Sequence, residues 1–121
     1  MDRLQKFIDN SNNKYINDII KFIKYIPKYI IKSYIKCNPN KYYEIGFIYQ
    51  FYYKNYELMH KYYNKAIDEG NSNAMNNLGY YYQNTEKNYE LMKKYYLDAI
   101  ALGNSTAMDN LCYYYVRKQN I

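Results

Sequence analysis

The chain has 121 residues, 49% of them apolar, and a formal net charge of +6. That length makes one domain with enough apolar material for a core. There is no apolar run of the roughly 18 residues a membrane helix needs, and no secretory core follows the opening MDRLQKFIDN, so no transmembrane segment and an intracellular, cytoplasmic location are expected.

The apolar fraction holds 21 tyrosines and no tryptophan. Many of these rings must lie half-buried, with the hydroxyl reaching water or a partner group. Asn, Lys, Ile and Tyr all come from AT-rich codons, so composition alone says little about function. A basic balance suits nucleic acid, an acidic membrane or an acidic protein, and equally simple solubility. Cys37 and Cys112 have neither metal-ligand nor redox spacing.

From the N-terminus, Asp2–Asp9 reads as a short helix with Leu4, Phe7 and Ile8 inward. Next, Ile16, Ile19, Ile23, Ile26, Ile30 and Tyr34 share one helical arc, while Lys21, Lys24, Lys28, Lys32 and Lys36 share the opposite one. The arcs keep phase across Pro27, where a break between two nearly collinear helices is expected. The lysine stripe has three readings: a solvated outer face, contact with an anionic membrane surface, or contact with a nucleic-acid backbone. The isoleucine face is needed to cover the repeat that follows, which weighs against the membrane.

Asn55–Tyr82 and Asn88–Tyr115 align with a period of 33 residues, and 20 of the 28 pairs are identical. A weaker copy lies upstream, where Ile45-Gly46 falls on Leu78-Gly79 and Lys28–Asn40 falls on Lys61–Asn73. Such a period indicates stacked helix pairs. In each unit a helix A (Ala74 to Gln83) carries Ala74, Leu78 and Tyr82 on one face, after the capping types Asn71, Ser72 and Asn73. A polar turn, Asn84–Asn88, leads to helix B, about Tyr89 to Leu102, with Met92, Tyr95, Tyr96, Ala99 and Ile100 inward. Gly70 and Gly103 end successive B helices. Gly79 and Ala99 mark close helix approach. Cys112 falls on the Gly79 position and Cys37 on the Gly70 position, so both are expected to act as small buried apolar residues. The last helix, an A without its B, should dock through Met108, Leu111 and Tyr115; its other side is a simple cap or a seam for homo-oligomer formation.

AMNNLGYYY (Ala74–Tyr82), KYYNKAIDEGNSNA (Lys61–Ala74) and KYYLDAIALGNSTA (Lys94–Ala107) resemble the Sel1-like repeat, a relative of the tetratricopeptide repeat, over residues 38 to 115. The biased composition is similar to that of Sel1-like proteins encoded by giant viruses. Tyr62 and Tyr95 stand where the family prefers Trp, Met59 and Met92 replace a small residue, and the Gly-rich turn between helices is missing, which shortens the unit. The resemblance implies an all-α, right-handed α-solenoid of stacked antiparallel helix pairs. The chain then divides into an N-terminal helical cap and degenerate first repeat (1–37), repeats at 38–70 and 71–103, and a partial repeat or capping helix (104–121).

In the tetratricopeptide relatives helix A lines the concave surface, and the resemblance carries that role to the face opposite Leu78. This face holds Asn76, Tyr80 and Gln83, with Tyr43, Phe47 and Gln50 upstream and Asp109, Tyr113 and Val116 downstream. An aromatic ladder, Phe47, Tyr80 and Tyr113, flanked by amides and a carboxylate suits an extended peptide, or it is compositional drift. The expected function is a non-catalytic scaffold or adaptor for a partner protein. The alternative is nucleic-acid or anionic-surface binding through the lysine stripe and exposed tyrosines. His60 matches Lys93, an exposed helix position, and no phosphate loop, metal cluster or nucleophile arrangement is present. No enzyme activity, metal or cofactor is expected.

Overall fold

A computed structural model describes residues 22–119, and side chains as far as Lys118. The expected Asp2–Asp9 helix, Ile16, Ile19 and Lys21 lie outside these residues. Every regular element among the described residues is helical and none is a strand: α1 (Lys28–Cys37), α2 (Tyr42–Phe51), α3 (Tyr56–Asp68), α4 (Ser72–Tyr81), a π-turn (Tyr82–Glu86), α5 (Tyr89–Ala101) and α6 (Ser105–Gln119). The protein is all-α over this range. No described helix is long and apolar enough to cross a membrane. The chain separates after Ala66 into two compact units, a division that falls inside α3 rather than at the repeat boundary after Gly70.

In the first unit Pro27 sits at the N-cap of α1 with φ −59° and ψ 142°. Proline pushes the residue before it out of helical geometry, so the helical turn at Phe22 and Ile23 stops short and α1 starts afresh. Asn38 closes the other end, its Nδ2 donating to the Tyr34 carbonyl at 2.9 Å. Ile31 and Tyr34 of α1, Ile45, Phe47 and Ile48 of α2, and Met59, Tyr63 and Ala66 of α3 are buried. Tyr52 donates its hydroxyl to the Ile26 carbonyl at 3.0 Å, tying the end of the α2 segment to the break before Pro27.

In the second unit α4 packs on α5, and α6 packs on both. Met92, Tyr96 and Ala99 form a core with Ala107 and Leu111 of α6. Asn71 caps α4 by accepting from Asn73 N and Ala74 N. Asn104 does the same for α6, accepting from Ala107 N at 2.9 Å. It also donates to Ser72 Oγ at 3.1 Å and Asn73 Oδ1 at 2.8 Å. The start of one A helix is thereby fastened to the start of the next.

The hairpins α2–α3 and α4–α5 have the same internal construction. A Cβ on Gly46 would meet Tyr63, and a Cβ on Gly79 would meet Tyr96, each at 2.5 Å from the ring. Tyr63 donates its hydroxyl to Gln50 Oε1 at 2.6 Å, and Tyr96 donates to Gln83 Oε1 at 2.8 Å. Tyr49 stacks on Tyr62 at 5.7 Å, and Tyr82 stacks on Tyr95 at 5.5 Å. Lys54 and Lys87 take left-handed backbone at φ 53° and 54°. Asn55 and Asn88 then cap the second helix, accepting from Leu58 N and Leu91 N. Gly70 (φ 81°) and Gly103 (φ 85°) follow the B helices in the left-handed conformation that glycine adopts freely.

Four local expectations are corrected. The A helix of the second hairpin spans Ser72–Tyr81, not Ala74–Gln83, because Asn71 caps it two residues early and a π-turn ends it. Cys37 is exposed, and so is Gly70, where an added Cβ would meet nothing within 4 Å, so the shared position lies in the open in both copies. Cys112 is also exposed, since no described helix follows α6 to lay a tyrosine against it as Tyr96 lies against Gly79. Met108 is 51% exposed and does not dock; Ala107 and Leu111 supply that contact.

Candidate functional site

The residues expected to line one open face of the A helices have three different fates. On α2, Tyr43, Phe47 and Gln50 are buried, Phe47 completely. Tyr43 stacks on Tyr63 with ring centroids 6.1 Å apart, Phe47 packs on Phe51 at 4.7 Å, and Gln50 accepts the Tyr63 hydroxyl. On α4, Asn76 is buried, and its Oδ1 accepts from Asn110 Nδ2 of α6 at 3.0 Å. Tyr80 and Gln83 are half-buried. Burial pushes the Tyr80 phenol above its ordinary range. On α6, Asp109, Tyr113 and Val116 are exposed.

The expectation of a continuous open ladder from Phe47 to Tyr113 is therefore corrected. Helix α4 uses one side for Leu78 and Ala74 and gives another, through Asn76, to α6. A helical wheel drawn with a single inward side misses the second seam. The signal for α2 lay in the sequence: YYEIGFIYQF has one charged residue, and a helix apolar all round is a buried helix. What remains available is the half-exposed pair Tyr80 and Gln83 and the open pair Asp109 and Tyr113. Tyr113 is 60% exposed, with the Arg117 guanidinium 5.4 Å from its ring centre.

Lys24, Lys28, Lys32 and Lys36 are exposed; Lys21 lies outside the described residues. His60 is half-buried, and its Nδ1 lies 2.7 Å from the Tyr56 carbonyl, which fixes the proton on that nitrogen because a carbonyl only accepts. Among the described residues no three His, Cys, Asp or Glu gather as a metal site.

A separate concavity lies in the second unit, where the π-turn and the start of α5 meet the end of α6. It is an open groove of about 710 Å³. Gln83, Asn84, Lys87, Tyr89, Tyr114, Arg117 and Lys118 line it. The rings of Tyr89 and Tyr114 stack at 5.3 Å and 28°. Of these residues only Gln83 was a sequence candidate. The others come from segments some thirty residues apart and share no motif, so only the packing of α6 brings them together.

Comparison with protein-family models, with curated proteins and with solved structures finds no match.

Proposed function

We propose that this chain is a non-catalytic interaction scaffold of the Sel1-like kind, its helix pairs stacked antiparallel as a right-handed solenoid, with a partner protein docking on the A-helix side of the second unit. One observation carries the reading. Two hairpins with a 33-residue period repeat the same glycine-under-tyrosine contact, the same tyrosine–glutamine bond and the same asparagine cap. A brick copied with its internal bonds intact serves to extend a surface; reaction chemistry needs a unique constellation instead.

The docking residues in this reading are Tyr80, Gln83, Asp109 and Tyr113, the part of the expected ladder that solvent reaches. A half-buried tyrosine held by its neighbours offers contact area at low entropy cost. Affinity purification from the native cell, followed by mass spectrometry, tests the proposal. A partner retained by the wild type should be lost from a Tyr113→Ala, Asp109→Ala variant that melts normally. A partner recovered equally by both would remove this face from consideration.

A further inference from the structure

We infer that the groove between the π-turn and the end of α6 binds a nucleotide unit, with its phosphate among Lys87, Arg117 and Lys118 and its base on the exposed ring of Tyr89. This site is independent of the scaffold reading and of the N-terminal lysine stripe. Three cations border a space of about 710 Å³, and among the described residues no carboxylate lines it. Glu86, in the adjoining turn, is instead held by the Tyr81 hydroxyl at 2.6 Å. Such a wall concentrates positive potential where a multiply charged anion would sit. Arg117 lies against Tyr113, which steadies the guanidinium plane for paired hydrogen bonds to phosphate oxygens. Lys118 Nζ lies 6.0 Å from the Tyr114 ring centre.

The stacked rings of Tyr89 and Tyr114 supply the second half of nucleotide chemistry. Tyr114 is covered on one face by Tyr89, and Tyr89 is itself 44% exposed, so a base placed on Tyr89 continues an existing stack. A groove that combines cations with stacked rings fits single-stranded nucleic acid, where each base offers a π-face and each phosphate a charge. Asn84 and Gln83 stand at the edge. Asn84 Nδ2 donates to the Tyr80 carbonyl at 3.0 Å and Gln83 Oε1 accepts from Tyr96, so an acceptor on Asn84 and a donor on Gln83 are left to serve a polar base edge.

Fluorescence anisotropy with a labelled single-stranded oligonucleotide of about eight nucleotides tests this on the full chain, with a free nucleoside triphosphate and a poly-glutamate peptide as competitors. The oligonucleotide brings the neighbouring phosphates as well, and one phosphate neutralised per cation predicts that affinity falls about twentyfold between 50 and 200 mM salt. Arg117→Gln should lower affinity and also flatten the salt dependence by about one contact, which a loss of folding would not do selectively. Tyr89→Ala should weaken binding roughly fivefold or more, with Tyr89→Phe restoring it. Lys61→Ala removes the same charge from an exposed position on α3 and should leave affinity nearly unchanged.

Competition by the free triphosphate at similar affinity identifies a mononucleotide as sufficient; competition by oligonucleotide alone identifies a strand. Both support the site. Absence of binding at low salt, binding insensitive to Arg117→Gln and Tyr89→Ala, or preferential displacement by poly-glutamate would overturn it.

Discussion

Tyr96 lies against the backbone of Gly79, so close that a Cβ on the glycine would stand 2.5 Å from the ring's Cδ1 and 2.6 Å from Cε1. Tyr96 is fully buried, and its hydroxyl is committed to Gln83 four residues beyond that glycine. The ring thus crosses α4 between two fixed points, a space at Gly79 and an acceptor at Gln83. Gly46, Tyr63 and Gln50 repeat the arrangement, which makes this contact the unit of construction of each hairpin.

Gly79→Ala should therefore destabilise the protein although alanine is the better helix former. The helix preference is worth roughly 0.5–1 kcal/mol in alanine's favour. Driving a methyl group into a ring that is buried and tethered costs about 1–3 kcal/mol, so a net loss is expected. Gly46→Ala should behave alike, for the same 2.5 Å distance. Thermal melting of both variants should show a drop of several degrees, on the scale of about 3–6 °C per kcal/mol for a chain of this size. An unchanged or raised midpoint would mean that the ring moves aside without cost.

Tyr63→Phe should cost more than Tyr96→Phe, although each removes one hydroxyl. Gln50 is buried, while Gln83 is half-buried and borders the groove. A carbonyl that loses a partner in the interior bears a desolvation cost of about 1–3 kcal/mol, whereas one that water can reach recovers most of it. Urea unfolding of the two variants side by side checks the order; equal midpoints would show that water reaches both amides alike.

Much of each hairpin was legible in the sequence because the signals are local. Asn71 precedes its helix, Gly70 and Gly103 end theirs, and Met92, Tyr96 and Ala99 recur at helical spacing. The candidate face was less legible. Phe47 and Asn76 sit on the side opposite Leu78, and what covers a second side is decided by another helix, as the Asn76–Asn110 bond illustrates. Alignment to a glycine predicted burial for Cys112, but burial there depends on a ring from a following helix, which a one-to-one alignment cannot supply. The groove joins Lys87 to Arg117 across thirty residues of chain, and nothing short of the packing of α6 announces it.

Alkaline pH should unfold the protein by way of Tyr96. Burial first, and the neighbouring Tyr80 second, push its phenol above the ordinary value of 10.0. The folded state then holds a proton that the unfolded state releases above that value. The contribution to stability is complete below pH 10 and declines as pH rises toward the folded pKa, at up to about 1.4 kcal/mol per pH unit. Tyr49, Tyr53, Tyr80 and Tyr82 are raised in the same direction, chiefly by burial, and add to the slope. Urea midpoints measured from pH 8 to pH 11 should be level and then fall. Tyr96→Phe should start lower and fall less steeply; an identical slope in the variant would assign the effect to other groups.

Asn104 does two jobs that substitution can separate. Its Oδ1 caps α6 through Ala107 N, and its Nδ2 donates to Ser72 Oγ and Asn73 Oδ1 at the start of α4. Asn71 also caps its helix through Oδ1, accepting from Asn73 N and Ala74 N. Asn71→Ala should cost about 1 kcal/mol for the cap. Asn104→Ala removes a cap and the bonds to α4 together, and about 2–3 kcal/mol is expected. Asn104→Asp keeps the acceptor and places a carboxylate at the helix N-terminus, where charge is favourable. It also loses both donated bonds and sets an anion beside the Asn73 carbonyl oxygen. If the cap dominates, Asp should rescue most of the alanine loss; if fastening α6 to α4 dominates, Asp should be as damaging as Ala. The fastening is expected to matter more, because Asn104 is buried and two partners lose their donor at once. Chemical denaturation of the three variants decides between these outcomes, and full rescue by Asp would reduce Asn104 to an ordinary helix cap.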